Sequence, residues 1–111
     1  MSLVIIESPF AGDVEANLKY LRACMRDALL RGESPYASHG LLTQPGVLDD
    51  TVPQERELGI KAGFEWHKAA DKMVVYTDNG ISSGMQRGIE NAHRIGLDVE
   101  MRRLSGWVEI P

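Results

Sequence analysis

Between Tyr76 and Ala92 the chain reads Tyr-Thr-Asp-Asn-Gly-Ile-Ser-Ser-Gly-Met-Gln-Arg-Gly-Ile-Glu-Asn-Ala. An apolar run, Met73 to Tyr76, meets a turn at Asp78-Asn79-Gly80, and Ser82, Ser83 and Gly84 then open an amphipathic helix. A helix start offers unpaired amides and the positive end of its dipole, and a residue without a side chain lets an anion reach them. The layout predicts a corner that binds a phosphate or a ribose. Ser83 and Gln86 stand at the spacing of a capping box, which by itself describes only a well-started helix. The dinucleotide glycine fingerprint and the P-loop are both absent.

Other chemically capable residues are scattered. Glu7 closes an apolar strand, where its carboxylate either accepts hydrogen bonds from a ribose or caps a neighbouring loop. His39 sits in a second loop between Ser38 and Gly40. Histidines 39, 67 and 93 lack the spacing of a ligand set, so neither a metal nor a cofactor is expected. Cys24 lies in a helical pattern and reads as a small core residue. Gly84, Gly88 and Ala92 form a stripe of small residues that admits a ligand, the sheet or a partner helix. Gly88 in a helix interior costs roughly 1 kcal/mol against alanine, so something should offset it. Glu90 and Arg87 on the same helix are either solvated or functional.

These residues need a frame. Leu3 to Ile6 is a β-branched run of the kind found in a buried parallel strand. Asp13 is placed to cap a helix that runs to about Arg31 and ends at Gly32. Ser34 to Ser38 is a short extended candidate weakened by Pro35, and 39–50 reads as a loop. Thr51-Val-Pro-Gln54 has a capping-box pattern with proline in the first turn. The helix after it should reach about Ala70, burying Leu58, Ala62, Trp66 and Ala69 with Ile60 and Phe64; so broad an apolar face also suits a subunit interface. Met73 to Thr77 is a strand, Ser83 to Ile95 a helix whose Met85, Ile89 and Ala92 face the sheet, and Val99 to Leu104 the last strand. Trp107 is expected to dock on the core or on a second subunit. The order βαβαβαβ predicts an α/β fold, a parallel sheet with helices on both faces. In such sheets ligands collect at the carboxyl ends of the strands, here Glu7 to Gly12, Ser38 to Gly40 and Thr77 to Met85.

With 111 residues the chain is expected to form a single domain, 1–111. A net charge of −4 gives no footprint for polymeric nucleic acid or an anionic membrane. One cysteine allows no internal disulfide. No basic leader precedes the first apolar run and no segment approaches a membrane span, so a cytoplasmic location is expected.

Taken in order, Ile6-Glu-Ser-Pro-Phe, Asn17, Ser34-Pro-Tyr-Ala-Ser-His39, Leu48-Asp-Asp50, Glu55-Arg-Glu-Leu-Gly59 with Ala62-Gly63, Asp71, and Gly80-Ile-Ser-Ser-Gly-Met85 with Ile89-Glu90 and Ala92 resemble the nucleoside 2-deoxyribosyltransferase-like superfamily. The chain is most similar to the small phage and bacterial domains of that group, and the resemblance spans about residues 3 to 104. It implies a three-layer flavodoxin- or Rossmann-like fold with four to five parallel strands, a nucleoside or nucleotide ligand, and a homo-oligomer. It implies ligand contacts at Ser8, Pro9, Phe10, Asn17, His39, Arg56, Asp78, Ser82, Ser83, Gly84 and Met85. In active members a helix glutamate attacks the anomeric carbon and a covalent glycosyl-enzyme forms. That glutamate falls four residues after the glycine matching Gly84, at Gly88 here. The replacement carboxylates are Glu7 and Glu90, although Glu90 is rotated about 200° around the helix from Gly88. The expected function is nucleotide binding, with N-glycosidic cleavage or transfer, a non-catalytic sensing module and an assembly protein as the alternatives.

Overall fold

The computed structural model describes residues 1–107, and the last four residues of the expected 1–111 unit lie outside the described residues. The described residues form four strands: β1 (Ser2–Glu7), β2 (Glu33–Tyr36), β3 (Lys72–Tyr76) and β4 (Asp98–Arg102). They are all parallel, in the order β2-β1-β3-β4. Successive strands therefore step to opposite sides of β1, and the switch point lies between β1 and β3. The helices are α1 (Val14–Leu30), α2 (Ser38–Leu41), α3 (Pro53–His67) and α4 (Ser83–Ile95).

The two central strands are buried on both faces, which is why they read as unbroken apolar runs. Val4, Ile6, Val74 and Tyr76 meet Tyr20, Leu21, Cys24 and Ala28 of α1 on one face. Ile5, Met73 and Val75 meet Met85, Ile89 and Ala92 of α4 on the other. This is the expected α/β architecture, with four strands. Trp107 packs on the α1 side, its ring edge-on to Tyr20 with centroids 5.0 Å apart.

Local signals explain most boundaries. The Asp13 carboxylate accepts from the Ala16 amide at 3.2 Å and starts α1. Gly32 follows that helix in the left-handed region (φ 83°). Pro35 is tolerated because β2 is an edge strand and its missing N–H removes no interior bond.

Several expectations are corrected. β2 begins at Glu33 and ends at Tyr36, and the supposed loop opens with the short helix α2, which carries His39. Thr51 does not cap α3. Its amide and hydroxyl bind Asp49 at 3.0 and 2.6 Å, Val52 takes the cap position, and Pro53 starts the helix. α3 stops at His67. The box on α4 is one residue upstream of expectation: Ser82 is still extended, accepts from the Met85 amide, and donates its own amide to the Met85 sulfur at 3.4 Å. Trp66 is 53% exposed and Leu58 57% exposed, so their stripe is not core. Gly63 and His67 are the buried residues of α3 instead. With no side chain, Gly63 lets α3 approach α2 so closely that a Cβ there would stand 2.6 Å from the Ser38 hydroxyl. That approach turns the Leu58–Trp66 side outward, where Trp66 keeps one ring contact, with Tyr36 at 4.8 Å.

Candidate active site

β1 ends at the sheet's switch point, and its last residue places a carboxyl in a cleft enclosed by α2, α3 and α4. Glu7, Ser8 and Phe10 line this cleft from β1 and the loop after it. That loop is held by Asn17, whose amide donates to the carbonyls of Phe10 and Ala11 at 2.9 and 3.1 Å. α2 supplies Ser38 and His39. The start of α4 supplies Ser82, Ser83, Gly84 and Met85, with Gly88 one turn further along.

The relation between Glu7 and Gly88 defines the floor. A Cβ built on Gly88 would meet the Glu7 carboxyl, 2.8 Å from Cδ and 3.1 Å from Oε2. The acid from the strand occupies the space that a side chain on this helix position would fill. No protein group among the described residues hydrogen-bonds the carboxyl, and burial pushes its pKa up to about 8. The group is thus mostly protonated at neutral pH.

Across the cleft, Ser8 is buried and its hydroxyl lies 2.8 Å from His39 Nε2. Burial holds the His39 pKa down at about 4, so this imidazole is neutral at neutral pH. The Phe10 ring stands edge-on to it, centroids 6.5 Å apart. His67 is also buried and its pKa is lowered by desolvation. The amide oxygen of Asn91 accepts from Arg94 at 2.5 Å, so its nitrogen is the donor to His67 Nδ1 at 2.8 Å. His67 therefore carries its proton on Nε2.

Arg56 brings the positive charge. Its Nη1 pairs with Asp50 at 3.0 Å, and Nη2 lies 3.6 Å from where a Cβ on Gly84 would stand. A guanidinium and the first amides of α4 thus face the same end of the cleft, an arrangement suited to an anion. The cleft is polarised, with a cationic end at Arg56 and α4 and a neutral acid at Glu7.

Glu7, Ser8, Phe10, His39, Arg56, Ser82, Ser83, Gly84 and Met85 thus meet in one place. Other expected contacts do not line it. Glu90 is exposed on the solvent side of α4, as its rotation from Gly88 dictates. Asp78 serves the opposite face, accepting from the Tyr20 hydroxyl at 2.5 Å and the Leu104 amide at 3.0 Å. Pro9 and Asn17 shape the β1 loop without lining the cleft. The α3 wall, with Asp50, Ile60, Gly63, Phe64 and His67, went unassigned from sequence. Its signal was present: Arg56, Ile60, Gly63 and His67 recur at helical spacing. Among the described residues no three His, Cys, Asp or Glu side chains gather as a metal site, and no helix is long and apolar enough to cross a membrane.

Comparison with known proteins gives two findings. The profile of the family described as "Domain of unknown function (DUF7768)" matches residues 2–102. A solved structure of a 2-deoxyribosyltransferase from the psychrotolerant bacterium Bacillus psychrosaccharolyticus superposes with a TM-score of 0.71 at 18% identity, covering 96% of this chain and 76% of that one. No curated protein matches the sequence. At that identity the superposition establishes a shared fold.

Proposed function

We propose that this chain, which belongs to the family described as "Domain of unknown function (DUF7768)", binds a nucleoside or nucleotide in the Glu7 cleft and cleaves or transfers its N-glycosidic bond, with Glu7 replacing a helix carboxylate. The observation that carries the reading is the Glu7 carboxyl seated against Gly88. On this reading the cleft's acid comes from the strand, its carboxyl filling the space beside the helix position where the resemblance expects a glutamate. The likeness to a 2-deoxyribosyltransferase supports a nucleoside-related ligand.

The chemistry follows from the protonated state. Glycosidic cleavage needs a proton on the departing base and negative charge near the sugar carbon that becomes positive. Neutral Glu7 supplies both in sequence. As the C–N bond breaks, its electron pair stays on the base, which takes the Glu7 proton. The carboxylate left behind faces the anomeric carbon and either bonds to it or holds the cation until water or a second base adds. Arg56 and the first amides of α4 bind the anionic or oxygen-rich end of the ligand. The direct test is base release from 2′-deoxynucleosides and their 5′-monophosphates, measured chromatographically. Release by wild type and its loss in Glu7→Gln support the reading; equal release, or none from any substrate, sinks it.

A binding module without turnover is the second reading, favoured by the same raised pKa, which leaves little carboxylate at neutral pH. A nucleotide-dependent thermal shift without base release would select it. The exposed Leu58 and Trp66 side of α3 supports a homo-oligomer; sedimentation as a monomer would remove that part.

A further inference from the structure

His39 and Ser8 form a pair whose proton positions follow from the hydrogen bonds available to them. Ser8 is 4% exposed, and among the described residues its hydroxyl makes one hydrogen bond, to His39 Nε2 at 2.8 Å. A hydroxyl has one proton to give and lone pairs to receive with. Were Nε2–H to donate, the Ser8 proton would be left buried with no acceptor. Were Ser8 to donate, its buried proton would be placed, and the ring's one proton would sit on Nδ1, which is not among the buried unpaired atoms and so stays open to water or ligand. Leaving a buried donor unmade is the costlier fault. The second arrangement therefore wins, and it requires a bare Nε2 and a neutral ring with its proton on Nδ1.

We propose that Ser8 is a positioning residue that locks His39 as the Nδ1–H tautomer, so that the cleft is offered a neutral hydrogen-bond donor at this wall and not a base. Nδ1 has no protein partner among the described residues, and His39 is part of the cleft lining. The group it serves must be an acceptor, and, resting on the proposed function, that acceptor is an oxygen of the bound sugar. The ring is held by more than Ser8. The Phe10 ring stands edge-on to the imidazole and resists its rotation, while the Thr43 hydroxyl fixes the backbone beneath it by donating to the His39 carbonyl.

The lock also bears on Glu7. The titratable and charged groups sharing the cleft with His39 are Glu7 on β1, Asp50 before α3, and Arg56 and His67 on α3. A charged imidazole here would favour ionised Glu7; a neutral one leaves the acid protonated. Burial keeps the ring neutral, and Ser8 fixes which nitrogen carries its one proton, so this wall presents the cleft with a donor and no added cation.

The test reads the tautomer itself. The full chain, labelled with 15N in its histidine rings, is examined by long-range proton–nitrogen correlation at pH 7, with His39 assigned by the signals missing in His39→Gln. A protonated Nδ1 and a bare Nε2 for His39 are expected. A protonated Nε2, or a doubly protonated ring at this pH, overturns the proposal. Ser8→Ala should convert the single tautomer into a mixture; an unchanged His39 spectrum in a folded Ser8→Ala overturns it too. Where Ser8→Ala fails to fold, the wild-type spectrum alone decides. None of these readouts requires turnover, so failure to release a base would sink the proposed function and leave the tautomer result standing.

Discussion

The Glu7 carboxyl and Gly88 are complementary: the acid carbon lies 2.8 Å from the place a Cβ at residue 88 would take, so the two positions hold one side chain between them. This accounts for a glycine inside α4, where it costs roughly 1 kcal/mol against alanine. Gly88→Ala should gain that propensity and lose it again by pushing the Glu7 carboxyl aside, leaving stability within about 1 kcal/mol of wild type. Ligand binding, followed by calorimetry with a 2′-deoxynucleoside 5′-monophosphate, should fall sharply.

The reciprocal exchange is more diagnostic. Glu7→Ala alone should abolish base release, on the order of a hundredfold or more, the scale of a lost general acid. Glu7→Ala combined with Gly88→Glu returns a carboxyl to the same cleft from the other element. Partial recovery in the double variant over Glu7→Ala, measured as initial rates, is the expected outcome. A double variant that binds nucleotide and stays as inactive as Glu7→Ala would show that the location of the acid is not what matters.

Stability should carry the signature of two oppositely displaced groups. Glu7 keeps its proton in the fold up to about 8 against an ordinary 4.5, so its contribution is fully present below pH 4.5 and is lost as pH rises to 8. His39 resists protonation down to about 4 against an ordinary 6.5, so its contribution is fully present above pH 6.5 and is lost as pH falls to 4. The two slopes oppose between pH 4.5 and 6.5, and only the Glu7 decline remains from there to pH 8. At about 1.4 kcal/mol per pH unit, reduced by partial access of water to the cleft, the decline should amount to roughly 1–2 kcal/mol. Urea unfolding of wild type and Glu7→Gln at pH 6.5 and 8.5 checks it: the gap should widen in favour of the variant at the higher pH.

What the sequence made legible depends on the range of the interaction. The existence of the strands, α1 and α4 follows from apolar runs, the Asp13 cap and Gly32, all signals carried by neighbours in the chain, while the last strand runs over Asp98–Arg102 and not to Leu104. The convergence of Ser8, His39 and Ser83 followed from the rule that ligands sit at strand ends. α3 was misread because it carries two stripes, Leu58–Ala62–Trp66 and Arg56–Ile60–Gly63–His67, and hydrophobicity favoured the wrong one. What decides is the close approach of Gly63 to Ser38, a contact between separate helices that no local pattern encodes. The Glu7–Gly88 relation was open for the same reason: a strand end and a helix interior meet only once the sheet is assembled.

Arg56 should discriminate phosphate from sugar. Its guanidinium lies beside the first turn of α4 and is held there by Asp50. Hydrogen bonds to charged groups contribute about 1.5–3 kcal/mol, roughly a factor of ten to a hundred in affinity. Arg56→Ala should weaken binding of a deoxynucleoside 5′-monophosphate by about that factor and leave the unphosphorylated nucleoside within about threefold. Equal losses for the two ligands would place Arg56 in support of the cleft wall and remove it from phosphate recognition.

Two ion pairs should behave very differently when broken. Arg87 meets Glu57 at 2.7 Å between α4 and α3, but both side chains are about half exposed, and Arg87→Ala should leave stability almost unchanged. Arg102 is buried and grips Glu33 with both terminal nitrogens, at 2.7 and 3.0 Å, while also reaching the Tyr76 hydroxyl at 3.1 Å. Arg102→Leu strips the buried Glu33 carboxylate of its two-pronged partner and leaves the Tyr76 hydroxyl with its bond to Asp27 at 2.8 Å. Lys72 remains 3.0 Å from Glu33 and softens the loss, so about 3 kcal/mol, the low end for a broken buried pair, is expected. The pH dependence fixes the cause. Arg102 first, then Lys72, hold the Glu33 pKa down at about 2 against an ordinary 4.5, so the stabilisation is present above pH 4.5 and drains away as pH falls to 2. The difference between wild type and Arg102→Leu in urea unfolding should therefore shrink as pH drops from 5 to 3. A difference constant over that range would mean that Arg102 acts through packing of its alkyl stem and not through its charge.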